Sequence, residues 1–181
     1  MGRVAAYIGI GSNVGDRRDF CSRALGLLGL LPESALTAYS STYETQPVGD
    51  VGGPFLNLVA EIQTGLEPRR LLAILQETEQ GLGRDAERRA GPRTLDLDLL
   101  LYGDRVINEE GVLVVPHPRL HLRRFVVTPL AELAPTRRHP TLHHTMAELL
   151  SSLQDPHEVR RVDDPVVPWI RPAGRCGLAG M

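Results

Sequence analysis

Lysine is missing from this sequence: all twenty cationic side chains among its 181 residues are arginine. Any phosphate the protein holds must therefore be gripped by guanidinium forks, by backbone N–H groups or by a metal ion. Cysteine is scarce as well. Cys21 and Cys176 lie far apart and form no Cys-x-x-Cys pair, which speaks against a disulfide framework or a zinc site and fits a reducing compartment. Aromatic residues make up only 4% of the chain, too few to suggest a stacking platform for RNA bases. The net charge of -2 supplies no basic field for long nucleic acids. No apolar run approaches the ~20 residues needed to span a bilayer. The N-terminal segment leads straight into strand-like sequence, without the apolar stretch of a signal peptide. With 42% hydrophobic and 23% charged residues, the expectation is one compact, soluble, cytoplasmic domain with no membrane or nucleic-acid partner.

The punctuation of the chain gives its organisation. An apolar run over 4–10 reads as a buried strand, followed by a turn through Gly9, Gly11, Ser12 and Asn13. Asp16 opens a helix whose stripe (Phe20, Ala24, Leu27, Leu28, Leu31) ends at Pro32. Strands are expected over 37–45 and 55–64, with a loop over 46–54 between them. Pro68 sits at the first position of a helix reaching Gly81. A polar, arginine-rich loop over 83–92 precedes the most convincing strand, over 94–102. A short edge strand over 105–108, helices over 127–133 and 145–153, and an irregular tail from Asp155 complete the pattern. The division is a single domain over 1–154 and a tail over 155–181. The order β-α-β-β-α-β is that of an α+β sandwich with a ferredoxin-like sheet and helices on one face.

The strongest chemical signal is Arg93-Thr94-Leu95-Asp96-Leu97-Asp98. Period-two alternation puts Asp96 and Asp98 on one face of a strand and Leu95, Leu97 and Leu99 on the other. Their Cα atoms are then about 6–7 Å apart, and the side chains can bracket two Mg²⁺ ions about 3.5–4 Å apart. Asp is a poor strand former, so two in one strand ask for a reason. Arg84, Arg88, Arg89 and Arg93 lie just upstream, as phosphoryl transfer requires. His117 is fixed between Pro116 and Pro118, close to Arg119, Arg123 and Arg124. His139, His143 and His144 cluster without a carboxylate or thiolate partner and read as solvated. The Gly9–Asn13 turn lacks the Gly-Lys-Ser/Thr ending of a P-loop.

Four segments in order, AYIGIGSNVGDR at 6–17, YETQPVGDVGGPFLN at 43–57, GPRTLDLDLLLYGD at 91–104 and VPHPRLHLRRFVVTPLAELAP at 115–135, resemble the 6-hydroxymethyl-7,8-dihydropterin pyrophosphokinase family. The resemblance covers about residues 4–150 and implies a single catalytic domain over 1–154. It implies Mg²⁺-dependent transfer of diphosphate from ATP, as co-substrate, to the pterin hydroxymethyl group in folate synthesis, with AMP leaving. Asp96 and Asp98 would hold two Mg²⁺ ions. Arg84 and Arg93 would grip the triphosphate, His117 and Arg123 would contact ATP, and Gln76, Glu79 and Arg89 would approach it less directly. Phe55 and Phe125 would clamp the pterin, read along its edge by Asn57, Thr45 and backbone near Val48. Loops 46–54 and 83–92 would act as lids. Ala90 stands where the family commonly has a tryptophan, and Pro118 where an aromatic often follows the histidine. Association with neighbouring folate enzymes is a further implication.

Two other readings remain open from sequence. A ferredoxin-like RNA-binding module would need exposed aromatics and a basic sheet face on its central strands. A non-catalytic relative that only binds pterin or nucleotide would keep the fold but lose turnover.

Overall fold

The computed structural model of the chain describes residues 2–46, 53–83 and 93–169. Strand β1 (Val4–Ser12) runs between β5 (Asp96–Tyr102) and β4 (Phe55–Thr64), antiparallel to both. Along the far side of β4 lie β2 (Ser34–Tyr39), opposite residues 60–64, and β3 (Tyr43–Thr45), opposite residues 55–57. The expected strand over 37–45 is thus two strands, both borne by the long β4. With α1 (Arg17–Gly29) and α2 (Pro68–Gly81) as the crossovers, the order is ferredoxin-like, as expected.

Alternation along β1 explains one layer of the core. Ala6, Ile8 and Ile10 point to the same side as Leu97 and Leu99, where Leu25 and Leu28 of α1 and Leu71 and Leu75 of α2 cover them. Cys21 is buried in this layer, and burial pushes its thiol up to about 12, so it behaves as a small apolar residue.

The other face is not open to solvent, and here the sequence expectation of helices on one face is corrected. Helices α3 (Arg124–Leu133) and α4 (Met146–Ser152) pack on it through Val126, Val127, Leu130, Met146 and Leu149, against Tyr7, Val59, Leu100 and Leu101. The physical reason is a break in the β1–β5 register: Ile8 faces Leu99 and Tyr7 faces Leu101, leaving Leu100 as an extra residue. Leu100 and Leu101 therefore both join the second layer, which strict alternation cannot foresee. Helix α3 starts three residues before the expected position. A ribbon of β6 (Ile107–Glu109) and β7 (Leu113–Val115) leads to it.

The segment from Asp155, expected to be irregular, is ordered through its described part. Strand β8 (Val159–Arg161) pairs with β3 and becomes the edge of the sheet. Val166 is buried, and the Trp169 N–H donates to the Ser22 carbonyl of α1 at 2.9 Å. The approach is close enough that a Cβ on Gly26 would collide with the Trp169 backbone. Among the described residues no helix is long and apolar enough to cross a membrane.

Gly26 gives a prediction that runs against helix propensity. Alanine in a helix interior is ordinarily favoured over glycine by about 1 kcal/mol. Gly26→Ala is expected instead to destabilise by about 1–3 kcal/mol, because the Trp169 segment must shift. Urea denaturation measures the sign, and a stabilised variant would mean that the segment does not dock on α1.

Candidate active site: a cleft over the β1–β5 carboxylates

Above the second face, toward the C-terminal end of β1, a cleft of about 700 Å³ is lined by Gly9, Gly11, Thr45, Phe55, Asn57, Arg93, Asp96, Asp98, Arg123 and Phe125, among others. Its floor follows from strand register. Asp96 and Asp98 alternate with buried Leu97 and lie opposite Gly11 and Gly9 of β1. The glycines leave room for the carboxylates and for a ligand. A Cβ on Gly11 would come within 3.0 Å of Asn57 Oδ1, and one on Gly9 would meet Leu100 at 3.5 Å. The sequence reading placed these glycines in a turn, whereas β1 continues through both to Ser12.

Arg93 stands over the pair, its Nη1 donating to Asp96 Oδ2 at 2.7 Å. Asn13 fixes it by extending the β1–β5 pairing past the strand ends. The Asn13 N–H donates to the Arg93 carbonyl at 3.1 Å, and Asn13 Oδ1 accepts the Arg93 N–H at 2.7 Å. The same side chain reaches the Gly53 carbonyl at 3.5 Å, linking Arg93 to the end of the loop before β4.

Burial, and then the neighbouring Asp96 charge, raises the Asp98 carboxyl above its usual range, with partial relief from His117, Arg123 and Arg93. His117 Nε2 lies 4.0 Å from Asp98 Oδ1. Its Nδ1 accepts the Arg119 N–H at 3.2 Å, so in the neutral ring the proton sits on Nε2, toward Asp98. Burial lowers the His117 pKa, offset in part by Asp98. Two adjacent carboxylates, one reluctant to ionise, suit a divalent cation. Among the described residues no three side chains of metal-binding type converge. This donor set fits Mg²⁺, which takes one or two carboxylates and leaves its other positions to water and substrate phosphate.

At the far end of the cleft Asn57 is buried and donates through Nδ2 to Thr45 Oγ1 at 2.7 Å. Its carbonyl and second N–H remain as a paired acceptor and donor. The Arg123 guanidinium lies 5.4 Å from the centre of the Phe125 ring, a cation–π contact.

Comparison with known proteins decides the family. The profile of the 7,8-dihydro-6-hydroxymethylpterin-pyrophosphokinase family matches residues 7–135. The chain is 48% identical over 129 residues to the 2-amino-4-hydroxy-6-hydroxymethyldihydropteridine pyrophosphokinase of Bacillus subtilis, covering 71% of this chain and 77% of that one. The chain belongs to this family. It is also 36% identical over 162 residues to the bifunctional protein FolKE of Lactococcus lactis subsp. cremoris, covering 88% of this chain and 46% of that protein. A solved HPPK–DHPS structure in complex with substrates matches with a TM-score of 0.69 over 84% of this chain and 43% of that one, at 14% identity, a likeness of fold. The chain therefore spans less than half the length of these two multi-enzyme relatives.

Of the residues singled out from sequence, the pyrophosphokinase fold brings Arg93, Asp96, Asp98, Arg123, Phe55, Phe125, Asn57 and Thr45 to one cleft, with His117 beside Asp98. Glu79 and Gln76 do not line it. Glu79 is buried on the opposite side of β5, where Oε1 accepts the Leu97 N–H at 2.6 Å, and Gln76 is exposed on α2. Arg84, Arg88, Arg89, Ala90 and Val48 lie outside the described residues. His139 corrects an expectation: it is buried, with Nδ1 accepting the Leu142 N–H at 3.3 Å. Arg124 does not face a phosphate site either, since its guanidinium donates to the carbonyls of Leu153 and Asp155.

The sequence reading missed part of one wall, formed by Leu153, Gln154, Asp155, Pro156 and His157. The only signal for it was the spacing of Asp155 and His157 around a proline. An RNA platform is not what this face offers, since β1 and β5 present glycines and aspartates to the cleft.

The raised Asp98 pKa sets a stability prediction. Between the ordinary carboxylate value, near 3.8, and its own higher value in the fold, ionising Asp98 costs stability as pH rises. Without added divalent cation, Asp98→Asn is expected to melt above the parent protein at pH 7. The gain should shrink as pH falls through the carboxylate range. Thermal melts across pH read this, and a variant that melts lower at pH 7 would contradict the charge balance described.

Proposed function

We propose that the cleft carries out the pyrophosphoryl transfer for which its family is named. A diphosphate passes from ATP to the hydroxymethyl oxygen of 6-hydroxymethyl-7,8-dihydropterin, AMP leaves, and the product serves folate biosynthesis. The observation that carries this reading is the pairing of Asp96 and Asp98 with Gly11 and Gly9. It leaves room for phosphate and cation in the same cleft that Phe55, Phe125 and Asn57 line.

Each part has a role that its chemistry supports. Asp96 and Asp98 would hold two Mg²⁺ ions, which supply charge neutralisation to the phosphates and to the attacking oxygen. Arg93, already fixed by Asn13, neutralises charge that develops on the phosphoryl oxygens. Arg123 and His117 act on the same side, the first as a permanent cation and the second as an N–H donor. Arg84 and Arg89 add to the grip on ATP from the loop over 83–92, while Gln76 and Glu79 act at one remove. Phe55 and Phe125 hold the planar pterin by offset stacking. Asn57 and Thr45, with backbone near Val48, read its polar edge. Holding both substrates in line is the main catalytic work, because the phosphoryl transition state needs little covalent help. The segments over 46–54 and 83–92, which lie mostly outside the described residues, are those the family resemblance would assign to excluding water, which would otherwise accept the diphosphate.

The setting we infer is cytoplasmic, without membrane or nucleic-acid partners. Association with a neighbouring folate enzyme is supported by the bifunctional relatives, in which such domains share a chain.

The test is an incubation with ATP, Mg²⁺ and 6-hydroxymethyl-7,8-dihydropterin, following AMP against ADP. AMP is expected in step with pterin diphosphate, and Asp96→Ala should lower kcat by about 10²–10³ or more. Chelation of divalent cations should abolish turnover in the unaltered protein. No turnover by a folded protein that still binds pterin would exclude this function and leave a non-catalytic binding protein, whereas release of ADP would mean transfer of a single phosphoryl group instead.

A further inference from the structure

Resting on that reading, a residue outside the sequence-derived site bears on pterin recognition. After α4 the chain runs along the cleft as Leu153-Gln154-Asp155-Pro156-His157 before entering β8. It is fixed at both ends. At one end Arg124 donates its N–H to Asp155 Oδ2 at 2.7 Å and its Nε to the Asp155 carbonyl at 2.9 Å. That carboxylate caps α3, whose own N-cap residue Arg123 supplies no side-chain bond. At the other end Val159 pairs with Thr45, a residue of the pterin end.

Asp155 also sets the ring of His157. Its Oδ1 accepts the His157 N–H at 3.0 Å and lies 2.5 Å from ring Nδ1. A carboxylate held below its usual pKa is an acceptor: burial raises it, but hydrogen bonds from Arg124 and His157 prevail. The neutral ring then carries its proton on Nδ1, so Nε2 is a bare acceptor. Nε2 has no partner among the described residues, and His157 lines the cleft.

Sheet order tells which part of the ligand this acceptor meets. From Asp96 and Asp98 on β5 the strands follow as β1, β4, β3 and β8. Four steps of about 4.8 Å put the entrance to β8 about 19 Å from the carboxylates. A pterin whose hydroxymethyl group points to the carboxylates turns its opposite end, which bears the exocyclic 2-amino group, toward His157. That end carries three N–H donors, N3–H and the two of the amino group, more than the Asn57 carbonyl and the Thr45 hydroxyl accept among the described residues. We propose that His157, oriented by Asp155, is a specificity-determining residue that accepts a hydrogen bond from the 2-amino group and selects a 2-amino over a 2-oxo heterocycle.

The experiment measures equilibrium binding of 6-hydroxymethyl-7,8-dihydropterin, of its 2-oxo (lumazine) counterpart and of a non-hydrolysable ATP analogue to the parent, His157→Ala and His157→Gln. The expected result is a loss of about five- to tenfold for the 2-amino ligand with His157→Ala, the scale of one hydrogen bond. Affinities for the 2-oxo ligand and the nucleotide should hold, and His157→Gln, which keeps an acceptor, should recover part of the loss. In turnover the KM for pterin should rise while kcat stays. An unchanged preference for amino over oxo overturns the proposal, as does a parallel loss for all three ligands, which would mark a structural role. A parent protein that binds neither heterocycle would overturn the pterin reading of the cleft, and this inference with it.

Discussion

Everything in the cleft depends on the pairing of β1 with β5. Two carboxylates on neighbouring outward positions of a strand repel one another, and most sheets would cover them with side chains from the adjacent strand. Here the adjacent strand offers Gly9 and Gly11, so the carboxylates border open space and can share whatever cation enters it. The outer edge of β5 is closed from behind, where Glu79 accepts the Leu97 N–H. A buried acid that holds a backbone donor of the strand opposes any shift of that strand. Slippage by one residue would turn Asp96 and Asp98 into the leucine core.

The walls around that floor come from distant parts of the chain, and one device joins them: a polar side chain of one wall bonds to the backbone of the next. Asn13 holds Arg93 and Gly53. Arg17 donates to the Pro54 carbonyl at 2.6 Å and pairs with Glu44, which Arg160 of β8 also engages. Arg124 holds Leu153 and Asp155. Each exposed ion pair adds little by itself. The charge-assisted bonds to backbone carbonyls do more, because they fix where loops leave and re-enter the sheet. The result is a cleft whose two ends, at β1–β5 and at β3–β8, are positioned by separate sets of bonds.

Much of this was legible in the sequence, for reasons that can be stated residue by residue. Local rules sufficed for Asp96 and Asp98, since alternation is a property of any strand. Pro68 at the head of α2 was equally plain. Long-range order was not legible. The extra residue at Leu100 inverts the alternation midway through β5, and nothing within that strand announces it. His139 looks like a surface histidine because its burial comes from a turn that closes on itself. The Asp155–His157 wall reads as irregular tail because what fixes it, Arg124 at Asp155 and Thr45 at the following Val159, lies 31 and more residues away. The glycines of β1 were read as a turn because in most strands glycine is a weakness. The close approach of Asn57 explains Gly11, and the room both leave beside Asp96 and Asp98 explains the pair.

The cleft's cations are guanidinium groups, and this has a chemical consequence. A reagent or modifying enzyme that needs a side-chain amine finds none in this protein. Acetylation, carbamylation and amine-directed cross-linking therefore cannot neutralise the charges that Arg93, Arg119 and Arg123 bring to the cleft. Loss of activity under such reagents would have to be sought elsewhere than in these arginines.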